Sequence, residues 1–154
     1  MKKKFLWFIF ASIVLLEIGF AVLINRLQSV SGYGILDAMF YNKDIVETVI
    51  NAYGSKGIDI YYQIQVLDFV FPLMYGTLLA GLLYKSKLMI IPIIAAFTDY
   101  GENICIRMML DSYPSIIDLS TLAFCFTVMK FILITASIGI IVIRRLTLRR
   151  KVRQ

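Results

Sequence analysis

The stretch Leu88–Leu110, LMIIPIIAAFTDYGENICIRMML, decides how this chain folds. At about 1.5 Å per helical residue it is long enough to cross roughly 30 Å of hydrocarbon. Most of it is apolar, yet it carries Asp99, Glu102, Asn103 and Arg107. In a helix, Asp99, Asn103 and Arg107 recur at i, i+4 and i+8, with Glu102 at the edge of the same face. Ionisable groups at bilayer depth cost at least about 2.5–3.5 kcal/mol each, so such a stripe belongs inside a bundle.

Working outward, three more blocks have spanning length. The predicted spans cover about residues 5–27, 65–84, 88–110 and 119–143. The expected fold is all-α: a polytopic membrane protein, a four-transmembrane-helix bundle forming one domain over residues 1–154. Composition agrees, with 60% hydrophobic and only 17% charged residues. The first block follows a lysine triplet, as a signal peptide would, and Ser29-Val30-Ser31 offers a small-x-small cleavage site. Its apolar run exceeds a typical signal core and contains Glu17, so it reads as an uncleaved first helix.

Between the first two spans lies the outer segment, residues 28–64. Ser31-Gly32-Tyr33-Gly34 reads as a turn. Ile45, Val49, Ala52 and Tyr53 recur at helical spacing before Gly54, which predicts a short amphipathic outer helix lying on the membrane surface or capping the bundle. Gly57 is placed to restart a helix that runs into the second span.

Orientation follows from the basic residues. The amino terminus, the Tyr84–Leu88 turn and the basic tail, residues 144–154, hold 11 of the 16 Lys and Arg: Lys2, Lys3, Lys4, Lys85, Lys87, Arg144, Arg145, Arg149, Arg150, Lys151 and Arg153. The opposite loops hold only Arg26, Lys43 and Lys56, with Asp37, Asp44, Glu47, Asp59, Asp111 and Asp118. Both termini are therefore expected in the cytoplasm. The net charge of +6 flanks apolar blocks with no aromatic interleaving in the tail, which points to lipid headgroups rather than nucleic acid.

The polar residues within the spans agree in phase and depth. In the second span Tyr61, Gln65, Asp68, Pro72 and Tyr75 share one face; in the fourth, Thr127, Lys130 and Ser137 do. Glu17, Tyr75, Asp99 and Lys130 all fall roughly 15 Å from the outer ends of their spans. The reading is an outward-facing polar pocket, closed on the cytoplasmic side. Its expected ligand-binding residues are Glu17, Asp68, Tyr75, Asp99, Glu102, Asn103, Arg107 and Lys130. Four carboxylates face two cations, with Lys130 the expected counter-ion of Asp99 and Glu102, and Arg107 that of Asp68. If the site is catalytic, Asp99, Glu102 and Lys130 are its candidates.

There is no histidine, which removes the commonest general base and metal ligand. Cys105 and Cys125 lie in apolar blocks without CxxC spacing and are expected as free thiols. Neither metal nor cofactor is expected, and no HExxH, P-loop or Ser/His arrangement occurs.

Leu67-Asp68-Phe69-Val70-Phe71-Pro72-Leu73-Met74-Tyr75, Asp99-Tyr100-Gly101-Glu102-Asn103, Tyr113-Pro114 and Thr127-Val128-Met129-Lys130 together resemble a family of small, uncharacterised four-helix bacterial membrane proteins. The resemblance runs from Gly54 onward, with Phe131 where members usually carry tryptophan. It implies the fold and a bacterial cell membrane, and no activity.

Three functions fit these residues. The first is binding of a lipid or small amphiphile in the polar pocket. The second is an intramembrane acid–base enzyme acting on a lipid as an isomerase or hydrolase; the four-span layout is similar, in topology alone, to the sterol-isomerase-like superfamily. The third is a proton- or cation-coupled transporter, for which a homo-oligomer would supply the polar path that the inner halves of these spans lack. Membrane lipids are the partners common to all three.

Overall fold

The computed structural model describes residues 3–36 and 42–152, and every regular element among them is helical. Lys2, Asp37 and Arg153, which entered the charge pattern above, lie outside the described residues. Four long helices follow one another: α1, Lys3–Ser31; α2, Lys43–Leu82; α3, Ile90–Asp111; and α4, Ser120–Val152. A 3₁₀ turn, Lys87–Met89, leads into α3. All four helices are long and apolar enough to cross a membrane.

Short polar residues start the helices as their chemistry requires. Asn42 caps α2, its Oδ1 accepting from the Ile45 N–H at 3.1 Å. Asp118 precedes α4 and accepts from both the backbone N–H and the hydroxyl of Ser120, at 3.2 and 2.7 Å. These hydrogen bonds hold the Asp118 carboxyl below its ordinary range.

The structure redraws the segment between the first two spans. The expected outer helix is the opening part of α2, and Gly54 joins it to the rest as a kink rather than an end. Gly54 adopts φ 53 and ψ −169, a conformation that a Cβ would disfavour. Beyond the kink the helix is continuous to Leu82, in line with a helix expected to restart at Gly57 and run into the second span. The buried face also differs from the one anticipated. Val46, Val49, Ile50 and Tyr53 are buried, whereas Ile45 and Ala52 are exposed. This piece caps the bundle rather than lying flat. The basic tail is likewise no separate segment, because α4 continues through it to Val152.

The helices pack in chain order: α1 on α2, α2 on α3, α3 on α4. α2 touches α4 lightly, and α1 and α4 meet at most marginally. Register shows that each neighbouring pair is antiparallel. Phe20 meets Phe71 and Leu27 nears Gly57; Tyr100 meets Phe69 and Asn103 meets Asp68; Asp99 meets Lys130 and Glu102 meets Thr127. One end of the bundle thus carries the termini and the α2–α3 turn, and the other carries the α1–α2 and α3–α4 connections.

Hydropathy matches position in this row. The most apolar 18-residue stretches of the outer pair, α1 and α4, have mean hydropathies of 2.5 and 2.3, against 1.4 and 1.3 for those of the central α2 and α3. The central helices carry the polar stripes. The apolar core lies at the connection end, where Leu27, Leu36, Val49, Ile50, Ile64, Ile106, Met109 and Ala123 meet. Two tyrosines fold the chain after α1 onto it: the Tyr53 hydroxyl donates to the Gly34 carbonyl, and the Leu36 N–H donates to the Tyr61 hydroxyl at 3.1 Å.

Candidate functional site

Pro72 organises the polar contacts between α2 and α3. A proline within a helix removes the N–H that would bond the carbonyl four residues back, here that of Asp68. The Asn103 side chain of α3 donates to that carbonyl at 3.2 Å. One residue on, the Tyr100 hydroxyl donates to the Phe69 carbonyl at 3.0 Å. Gln65 returns the contact, its amide donating to the Asn103 carbonyl at 3.2 Å. Asn103 was expected in the charged cluster; its amide serves the broken backbone of α2 instead.

Between α3 and α4 lies the charged cluster itself. Lys130 donates to Asp99 Oδ1 at 3.1 Å, and its ammonium lies 2.5 Å from Glu102 Oε2. Thr127 donates to Glu102 Oε1 at 2.5 Å. All four residues are buried, Glu102 completely. The triad sits near mid-helix: Asp99 is roughly 14 Å from the first residue of α3 and roughly 18 Å from its last. Close helix approach makes this possible. A Cβ on Gly101 would fall 2.8–3.0 Å from three ring atoms of Phe126, so glycine there lets α4 approach α3.

Beside the triad is a cavity of about 200 Å³. Glu17 from α1, Asp68 and Tyr75 from α2, Asp99 from α3 and Lys130 from α4 supply its polar wall. Phe20, Ile24, Ile35, Phe71, Phe131 and Ile134 supply the apolar one. Residues from all four helices reach it because antiparallel packing brings these positions to one level. The Tyr75 side chain is 7% exposed, and its hydroxyl makes no well-formed hydrogen bond, although Asp99 lies beside it.

Of the eight residues expected to bind a ligand, five line this cavity. Glu102 stands behind Lys130, and Asn103 is turned to α2. Arg107 is in neither place. Its Nε lies 2.9 Å from Asp111, one turn further along α3, and its guanidinium stacks 3.9 Å from the Tyr62 ring centre. Tyr62 completes that exposed group by donating to Asp111 at 2.7 Å. The expected Arg107–Asp68 pair is therefore replaced by a local i, i+4 pair.

An outward mouth was expected for the cavity. The connection end is filled by the apolar core, and Ile35 forms part of the cavity wall. Of the cavity's wall residues, Glu17 of α1 and Phe131 of α4 are exposed, on two helices that meet at most marginally. Sequence reasoning missed Phe20, Ile35 and Phe71 as lining residues, although Phe20 and Ile24 follow Glu17 at i+3 and i+7. Cys105 is buried, Cys125 is exposed, and both are free thiols. Among the described residues no group of three or more His, Cys, Asp or Glu side chains is arranged to hold a metal ion. No protein-family model matches the chain, and no curated protein or solved structure matches it either.

Proposed function

We propose that this chain is an integral membrane protein of the bacterial cytoplasmic membrane that binds a lipid or other small amphiphile in its lateral cavity. The observation that carries the reading is the composition of that cavity: a polar wall and an apolar wall facing one gap between two helices. Water-soluble ligands do not need the second wall, and hydrocarbon does not need the first.

Size limits what enters. About 200 Å³ is below the roughly 300–1,000 Å³ of pockets that enclose whole drug-sized ligands. A headgroup fits, while acyl chains would leave through the α1–α4 gap and lie along those two apolar helices. Lys130 and its carboxylates, held in a fixed triad, give the headgroup a preorganised polar floor.

The test is retention of a ligand through purification. Native mass spectrometry of the protein in a mild neutral detergent is expected to show an adduct, which organic extraction identifies as an amphiphile. Tyr75→Phe combined with Asp99→Asn should reduce its occupancy. If the protein is empty in several detergents, and no amphiphile added back raises its thermal stability, the reading fails.

A further inference from the structure

We infer that the cavity selects a positively charged headgroup: its occupant is an amphiphilic ammonium. This rests on the amphiphile reading above and adds the charge of the ligand. Three carboxylates, Glu17, Asp68 and Asp99, line the cavity against one cation, Lys130. The Lys130 ammonium is already held by Asp99 at 3.1 Å and by Glu102 at 2.5 Å. An anionic headgroup would thus meet a cation whose charge is shared between two carboxylates, and would face the Glu17 carboxylate as well. A cationic headgroup meets the opposite field.

Glu17 sharpens the choice. It lies on the rim, on a strongly apolar helix, and among the described residues no cation pairs with it. Its position suits a carboxylate that meets the ligand's charge at the entrance. Deeper in, the buried Tyr75 hydroxyl stands beside Asp99, to which it can donate, and its oxygen is available to accept from an ammonium N–H.

The apolar wall points the same way. Phe20, Phe71 and Tyr75 form a continuous aromatic run from α1 to α2, with ring centres 5.7 and 5.6 Å apart in edge-to-face arrangement. Across the cavity, Phe131 already has the Lys130 ammonium 5.4 Å from its ring centre. Aromatic faces around a carboxylate-lined space attract ammonium groups, including quaternary ones that cannot donate hydrogen bonds. Carboxylates alone would suit a hydrated metal ion; the added rings favour an organic cation.

The experiment uses the full-length protein in neutral detergent micelles and three probes with the same chain: decyltrimethylammonium, decyl sulfate and decanol. Melting temperature is followed as each is titrated below its micelle-forming concentration. The ammonium probe is expected to raise it saturably, and the other two to leave it unchanged or lower it. Glu17→Gln is expected to leave the ligand-free melting temperature unchanged and to weaken the ammonium probe about tenfold or more. Phe71→Leu, a second variant on a different helix, should weaken it as well. Equal stabilisation by decanol or decyl sulfate overturns the charge selection and leaves the amphiphile reading standing. Stabilisation by none of the three removes both. An ammonium response that neither variant alters also overturns the assignment.

Discussion

Lys130 is the residue on which the cavity's electrostatics turn, because it neutralises two carboxylates from one buried point. Removing one partner of a buried ionic group commonly costs about 3–5 kcal/mol, mostly for the charge left behind. Lys130→Met is therefore expected to destabilise the protein by about that amount. Adding Glu102→Gln should recover part of the loss, since it removes one of the stranded carboxylates. Unfolding of the three variants in a fixed mixed micelle checks this by a double-mutant cycle, and simple additivity would mean that the two groups do not interact. The triad was legible in the sequence, because Asp99 and Lys130 share a depth and Glu102 lies one turn from Asp99 at the edge of the same helix face. Arg107 was not legible in the same way. Depth and phase allowed Asp68 as its partner, but Asp111 lies one turn away on the same helix and needs no second helix to be positioned correctly.

At the scale of elements, the sequence specified four apolar helices and left their ends open. Hydropathy marks where a helix is apolar, not where helical hydrogen bonding stops. Hence α2 begins at Lys43 and α4 continues to Val152, both well past their apolar blocks. Gly54 was recognised as a break, yet only packing decides whether a break ends a helix or bends it. The helix before the kink buries Val46, Val49 and Ile50, which follow i, i+3, i+4; the pattern Ile45, Val49, Ala52 fitted the sequence equally well. The α2–α3 contact makes a firmer case. Pro72 frees the Asp68 carbonyl and Asn103 occupies it. Asn103→Leu should therefore destabilise by about 1 kcal/mol, the usual size of an interhelical hydrogen bond in a membrane. With Pro72→Ala in place, the restored N–H can serve that carbonyl, and Asn103→Leu should then cost measurably less. A cost independent of residue 72 would show that Asn103 acts through something other than the proline gap.

For the whole molecule, charge and packing together imply an orientation and a way in. The end bearing the termini and the α2–α3 turn carries most of the Lys and Arg, and the connection end carries Asp44, Glu47, Asp59, Asp111 and Asp118. Under the positive-inside rule the basic end is expected to face the cytoplasm. In that orientation the apolar core, capped by the first part of α2, would face outward, and the proposed entrance to the cavity is lateral, between α1 and α4. A single-cysteine series in a background with Cys105 and Cys125 replaced by serine tests both points in intact cells. A membrane-impermeant thiol reagent is expected to label positions 44, 48 and 115, on the connection side, without permeabilisation. It should reach positions 85 and 145 only after the membrane is opened. Reversed labelling would turn the molecule over, placing the cap in the cytoplasm. The lateral entrance makes a separate demand. A disulfide or short crosslinker joining cysteines at positions 17 and 131 on the rim should slow ligand exchange relative to the same double variant left uncrosslinked, while sparing the labelling pattern, because it closes the gap without moving the ends. If exchange continues at the same rate through a fully crosslinked rim, the ligand enters by another path, and the space between α1 and α4 is only a seam.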